Sequence, residues 1–147
     1  GFTLITAAPG DLFIQDAVTV VAIRHPEARV WARQLNIESR EIVNADNDGG
    51  TLWVLGLKTE NNGIKVRTAK GGNTEVLGGH MYSLCDDKNT PMFLIENSLA
   101  SFASICEFFP CNNKRYPQQV REIRGAQVRD YSSEDGHWPL FVGYGGK

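Results

Sequence analysis

The chain has 147 residues, of which 41% are hydrophobic and 22% are charged, and its formal net charge at pH 7 is −2. This length is enough for one domain with a sizeable core. The nearly balanced charge gives no electrostatic reason to expect nucleic acid or an anionic membrane as a partner. No apolar run reaches the roughly 20 residues of a membrane-spanning helix, so no membrane span is predicted.

A repeat of 22 residues organises the first half of the chain, with blocks that begin at Gly10, Ala32, Val54 and Val76. Each block contains two short apolar segments that alternate with period two, separated by Asn, Asp, Gly and charged residues. A fixed period of roughly 20 to 50 residues is typical of a solenoid. The Leu-x-x-Leu-x-Leu pattern of leucine-rich repeats is absent. The sequence therefore predicts an all-β fold, a right-handed parallel β-helix with coils of about 22 residues.

The whole chain, 1–147, is predicted to be one β-helix domain. Its regular coils are expected at about 10–82, insertions at 83–91 and 110–119, and an irregular carboxy-terminal segment at 132–147. The chain begins with Gly1 rather than Met, and its first residues, "GFTLI", already have the pattern of a strand. We therefore expect a fragment of a longer solenoid that lacks its amino-terminal coils.

Because side chains alternate between the two faces of a strand, the repeat sorts them into columns. The inward columns are predicted to be Phe13, Leu35, Leu57, Gly79 and Gln15, Ile37, Thr59, Met81. The outward columns are predicted to be Ile14, Asn36, Lys58, His80 and Asp16, Glu38, Glu60, Tyr82. One outward face thus gathers most of the residues capable of chemistry.

The outward carboxylates form the candidate active site. Strands in neighbouring coils lie about 4.8 Å apart, which predicts about 5 Å between Glu38 and Glu60 and about 10 Å between Asp16 and Glu60. Glycosidases hold two carboxyl groups about 5 to 9.5 Å apart. Glu38 and Glu60 are therefore the predicted acid/base pair, with Lys58 and His80 as electrostatic or proton-transfer helpers. Because carboxylates this close also attract a cation, Asp16, Glu38 and Glu60 are weak candidates for calcium ligands.

A simpler interpretation is favoured for the same residues, in which Arg33, Arg40 and Lys58 pair with the acids on a solvated face. Trp31 and Trp53 occupy equivalent positions and predict a ladder of stacked rings. Packing inside the solenoid or at a corner is favoured over an exterior platform for sugar rings.

Three cysteines, Cys85, Cys106 and Cys111, lie in the last part of the chain. No Cys-x-x-Cys pair exists and the histidines lack metal-ligand spacing, so no structural zinc site is predicted. Two alternatives stay open: one disulfide, with Cys106 and Cys111 the nearest pair, or three reduced thiols.

The segments "VWARQLNIES", "GGTLWVLGLKTE" and "GGNTEVLGGHMYS" resemble the carboxy-terminal coils of the pectate-lyase-like superfamily of glycoside-hydrolase-related β-helix proteins. The resemblance covers about residues 10 to 125, and no catalytic residue can be transferred position by position. It implies a module that is secreted, extracellular or periplasmic, with a polysaccharide as partner and, if it is an enzyme, lyase or glycoside hydrolase activity. The alternative is a non-catalytic structural solenoid that assembles edge to edge into fibres through its exposed strand edges.

Overall fold

A computed structural model describes residues 2–83, 90–108, 116–133 and 136–143. The strands are, in chain order, β1 (Thr3–Thr6), β2 (Gly10–Val18), β3 (Val20–Ile23), β4 (Ala28–Ile37), β5 (Val43–Asp48), β6 (Thr51–Thr59), β7 (Ile64–Ala69), β8 (Asn73–Tyr82), β9 (Phe93–Glu96), β10 (Leu99–Phe108), β11 (Val120–Arg124), β12 (Gln127–Tyr131) and β13 (His137–Gly143). Among the described residues there is no helix that could cross a membrane.

The strands form two stacked sheets. The short-strand sheet has the order β1-β3-β5-β7-β9-β11-β12, and the long-strand sheet has the order β13-β10-β8-β6-β4-β2. Every pairing from β1 to β11 and from β2 to β10 is parallel. One long and one short strand thus make one coil, and the predicted all-β parallel solenoid is confirmed.

The coils differ in length. Arg29 pairs with Thr51 and Thr51 with Asn73, each 22 residues along the chain, as the repeat predicts. In the first coil, however, Asp11 pairs with Arg29, only 18 residues later. In the last, Asn73 pairs with Leu99, 26 residues later. The 22-residue register is therefore wrong for the first coil.

The core lies between the two sheets and consists of aliphatic and aromatic columns. Its largest fully buried apolar side chains are Ile23, Leu35, Ile37, Leu52, Leu57, Met81, Met92, Phe93, Ile95, Phe102 and Ile105. Leu35, Ile37, Leu57, Thr59 and Met81 are inward, as predicted.

The inward assignment is wrong in the first block. Phe13 is 75% exposed and Gln15 is also exposed, whereas Ile14, predicted to face outward, is buried. The reason is the register, because Phe13 aligns with Trp31 and Ala17 is the residue that aligns with Leu35. One interior column therefore begins at Ala17 rather than at Phe13.

Antiparallel strands close the stack at its carboxy-terminal side. β12 pairs with β11 in a hairpin and β13 pairs with β10, both antiparallel. The segment 132–147, predicted to be irregular, thus contains a strand. The predicted insertions fall largely on 84–89 and 109–115, which lie outside the described residues.

Candidate functional site

A bend in the long strands shapes the outer face of the long-strand sheet. The residue at this position has positive φ in five successive long strands, namely Asp16 (50°), Gln34 (53°), Gly56 (80°), Gly78 (78°) and Ser104 (55°). The bend shifts the alternation, so that both Ala32 before it and Leu35 after it point into the core. Each long strand therefore presents two outer faces that meet at the bend.

A groove of about 620 Å³ follows this bend across three coils, and we call it the bend groove. It is lined by Gln34, Leu35, Asn36, Gly56, Leu57, Lys58, Gly78, Gly79 and His80. Its floor includes Gly56, Gly78 and Gly79, which have no side chains. A Cβ placed on Gly78 would meet no other atom within 4 Å. The floor is thus accessible backbone, while Asn36, Lys58 and His80 form one polar wall.

The polar wall continues into a cluster of charges, the acid–lysine cluster of Glu38, Lys58 and Glu60. Nζ of Lys58 donates to Oε1 of Glu38 at 2.7 Å and also to Oε1 of Glu60. Nδ2 of Asn36 donates to the same oxygen of Glu38 at 2.8 Å. The two predicted catalytic carboxylates therefore meet at one ammonium group, as the alignment of their coils predicts.

The lysine sets the protonation of this cluster. The hydrogen bond from Lys58, the hydrogen bond from Asn36 and the positive charge of Lys58 together hold the pKa of Glu38 below the ordinary glutamate value. Partial burial works against the charged form of Lys58, but the hydrogen bonds and charges of Glu38 and Glu60 outweigh it and raise the pKa of Lys58. Because a general acid needs a raised pKa, Glu38 is suited to be an anion rather than a proton donor at neutral pH.

Replacing Lys58 with Met is expected to raise the pKa of Glu38 toward the ordinary glutamate value, because the variant loses the strongest hydrogen bond and the nearby positive charge. An NMR titration of the Glu38 carboxyl carbon measures this shift. Lys70→Met is the matched control, because Lys70 pairs with Asp48 instead. An unchanged Glu38 titration in Lys58→Met would contradict the assigned contact.

The same contact has a defined pH dependence. Since the folded-state pKa of Glu38 is lowered, the stabilisation is complete above the pKa of the unfolded chain. It is lost as the pH falls through the lowered pKa. Lowering the pH into the acidic range is therefore expected to weaken the acid–lysine cluster. Raising the pH from there to neutral should restore it.

Aromatic side chains continue the polar wall on the next coils. His80 lies 4.8 Å from Tyr82 and 5.9 Å from Phe108, and Tyr82 lies 5.3 Å from Phe108, measured between ring centroids. Nζ of Lys58 lies 5.7 Å from the centre of the Tyr82 ring. His80 is exposed, as predicted, and connects the bend groove to this aromatic group.

Asp16 does not belong to the carboxylate column in which the sequence places it. It lies in the bend, at the position equivalent to Gln34, and its carboxylate accepts a hydrogen bond from Gln15 at 3.3 Å. The short first coil explains the difference, because an 18-residue offset aligns Val18 with Asn36 and leaves Asp16 beside Gln34, four residues before Glu38. The predicted separation of Asp16 and Glu60 therefore does not apply.

The candidate calcium ligands are a poor fit for a divalent cation. Lys58 already places an ammonium between Glu38 and Glu60, and Asp16 belongs to another column. No group of three or more His, Cys, Asp or Glu side chains arranged for a metal occurs within the described parts of the chain. Calcium binding stays a prediction that these contacts do not favour.

Trp31 and Trp53 lie on the outer face, so the favoured prediction of interior or corner packing is wrong. They align with each other and with Phe13 in three neighbouring strands, and the tryptophan ring centroids are 6.1 Å apart. The sequence signal that could have placed them outside is their alternation with Val30, Ala32, Leu52 and Val54, all of which are buried.

A chain of ion pairs on the short-strand sheet was not predicted from the sequence. Asp46 contacts Arg24 at 2.8 Å and Arg67 at 2.9 Å, and Arg67 contacts Glu96 at 2.6 Å. These side chains come from neighbouring coils and neutralise one another. We assign them to the cohesion of the stack, since each of these four side chains has an oppositely charged partner.

The thiol alternatives are decided only for one cysteine. Cys106 is a half-buried free thiol and aligns with His80 on β8 and with His137 on β13. Cys85 and Cys111 lie outside the described residues.

No protein-family model matches the chain, and the searches of curated proteins and of solved structures likewise find no match. The fold is therefore known from the stacked coils themselves, while the resemblance to the pectate-lyase-like superfamily stays a prediction. Any functional conclusion has to come from the bend groove and its surroundings.

Proposed function

We propose that the chain is a polysaccharide-binding solenoid that holds a glycan in the bend groove. The observation that carries the proposal is the groove itself, about 620 Å³ in volume, with a backbone floor and a wall of amide, ammonium and imidazole groups. Sugar hydroxyls need several hydrogen-bonding partners in a row, and a solenoid supplies one per coil, about 4.8 Å apart. A secreted, extracellular or periplasmic location is part of this proposal.

Aromatic rings at one end of the groove support a glycan as ligand. Tyr82 and Phe108 lie beside His80, where the polar wall ends. A sugar ring has one face of C–H groups, which packs on the electron-rich face of an aromatic ring while its hydroxyls reach polar neighbours. The combination of polar wall and aromatic end suits a sugar better than a wholly apolar ligand.

Binding is favoured over cleavage because of the acid–lysine cluster. Lys58 lowers the pKa of Glu38, which makes Glu38 unsuited to donate the proton, and its ammonium is hydrogen-bonded to both carboxylates. If the chain does cleave glycans, Glu38 and Glu60 are the proposed acid/base pair. Lys58 and His80 would then be electrostatic or proton-transfer helpers. A Glu60→Gln variant that releases products as fast as the parent would remove this assignment.

The binding proposal is tested with immobilised and soluble glycans of neutral and acidic composition. Asn36→Ala and His80→Ala are each expected to weaken binding about tenfold, because each removes a hydrogen-bonding group from the groove wall. Asn73→Ala is the matched control, since Asn73 is exposed at the start of β8 and is not part of the groove. Equal affinity of all three variants and the parent, or no binding to any glycan, would reject the proposal.

Edge-to-edge assembly is the second candidate. It is favoured by the outer edges of β1 and β2, which pair with no strand in the described residues, and by Phe2 and Val18, which are 87% and 64% exposed. Fibres seen by electron microscopy at high concentration would support assembly. Uniform single particles would count against it and would leave glycan binding unaffected.

A further inference from the structure

The outer face before the bend carries three aromatic rings in register, which we call the aromatic ladder. Phe13, Trp31 and Trp53 occupy equivalent positions on β2, β4 and β6. Phe13 is 75% exposed and Trp31 is 37% exposed. Because the strands are about 4.8 Å apart, the ladder extends for roughly 10 Å along the solenoid axis. It therefore runs across the coils, in the same direction as the bend groove.

Polar groups lie along the side of the ladder that faces the bend. A hollow of about 330 Å³ is lined by Phe13, Trp31 and Trp53 together with the polar residues Gln15 and Arg33. The Arg33 side chain forms no ion pair or hydrogen bond with the residues that the structure describes. Arg29 differs, because its guanidinium holds Asp11 at 2.6 Å. Arg33 thus has donors available beside the exposed rings.

The ladder is too small for a stable protein interface. It stops at β8, where Glu75 aligns with Trp53, and at its other edge it meets the ion pair of Asp11 and Arg29. A specific protein partner buries about 800 Å² on each side, far more than three aromatic side chains provide. A narrow row of rings with polar groups beside it is instead suited to a chain of sugar rings.

The charges around the ladder favour a neutral ligand. Arg33 is the one unpaired positive side chain among the described residues of this face, on which Asp16 in the bend and Glu75 on β8 carry two negative charges. Across the bend, the acid–lysine cluster likewise holds two carboxylates against one ammonium. A polyanion would meet net negative charge on both sides of the bend.

We propose that the aromatic ladder binds a neutral polysaccharide, with sugar rings packed on Trp31 and Trp53 and with Gln15 and Arg33 hydrogen-bonded to the hydroxyls. This inference rests on the proposed glycan binding and specifies its class. The glycan chain lies along the solenoid axis, so that successive sugars meet successive coils. The bend groove and the ladder are then two sides of one binding surface.

Tryptophan fluorescence tests the ladder, because two of the three tryptophans belong to it and Trp138 donates to Gln119 elsewhere in the fold. The probes are cellohexaose and xylohexaose as neutral glycans and hexagalacturonate as an acidic one. Saturable changes in emission are expected with at least one neutral probe and little change with the acidic one. Trp31→Ala and Trp53→Ala are each expected to weaken neutral-glycan binding about tenfold.

Leu140→Ala is the matched control, since Leu140 is an exposed apolar residue on β13, away from the ladder. Its affinity for the neutral probes is expected to equal that of the parent. Parent-like affinity in Trp31→Ala and Trp53→Ala, with weakened binding in His80→Ala, would overturn the ladder and keep the bend groove. Tighter, salt-sensitive binding of hexagalacturonate would overturn the neutral class. Binding of no glycan would reject both proposals together.

Discussion

Replacing Lys65 with Met is expected to lower the free energy of unfolding by about 3 kcal/mol, because the partly buried carbonyl groups of a turn lose their buried charged donor. Lys65 has no exposed surface, and its Nζ donates to the carbonyl oxygens of Glu60 and Asn61 at 2.8 and 2.6 Å. Longer contacts reach the carbonyl of Asn62 and Oδ1 of Asn44. The ammonium thus holds together the turn that follows Glu60.

Urea denaturation of the parent and of Lys65→Met measures the change in the free energy of unfolding. Lys70→Met is the control: Lys70 begins the turn after β7 and pairs with Asp48, but its side chain is 71% exposed. It should change the free energy of unfolding by less than about 1 kcal/mol. Equal losses in the two variants would show that the buried ammonium has no special role in the turn.

The second large effect is expected for Glu107→Ala, which should lower the free energy of unfolding by about 3 kcal/mol, because it leaves buried donors without an acceptor. Glu107 is 3% exposed and points into the last coil. Its carboxylate accepts from Oγ of Ser83 at 2.5 Å, from the backbone N of Tyr116 at 2.7 Å and from Nε2 of Gln119 at 2.7 Å.

Thermal and urea unfolding of three variants separates this role from a general effect of losing a carboxylate. Glu107→Gln keeps one acceptor oxygen and should lose less stability than Glu107→Ala. Glu75→Ala, at a partly exposed outward position, should be close to the parent. A Glu107→Ala protein as stable as Glu75→Ala would contradict the buried network.

The repeat allowed the solenoid to be predicted because coils of equal length place stacked residues at a constant spacing along the sequence. That condition holds where β4, β6 and β8 follow one another, and there the predicted outward residues Asn36, Lys58 and His80 do align. It fails in the first coil, where only Thr19 separates β2 from β3, whereas five residues separate β4 from β5. Phe13 and Leu35 are both apolar, so the 22-residue spacing matched residues that do not align.

The alternation of apolar and polar residues in the sequence could not predict the bend. Glycines at Gly56 and Gly78 are compatible with positive φ, but Gln34 and Ser104 adopt the same backbone conformation without any signal in their residue type. Their neighbours in the stack impose it, because strands in a parallel sheet must bend together to keep their hydrogen bonds. The acidic pair was found from the sequence, whereas the groove required the three-dimensional structure; the outward tryptophans could have been assigned from their alternation with buried neighbours.

The antiparallel strands β12 and β13 make the two ends of the stack different in how a further strand could pair. Parallel coils can continue from β1 and β2 by repeating the same pairing, since the strands there keep the orientation of the coils. Beyond β12 and β13, a strand in the orientation of the coils could pair only as an antiparallel neighbour. A glycan that follows the solenoid axis would therefore meet parallel strands over most of the stack and a terminus of different geometry at its carboxy-terminal side.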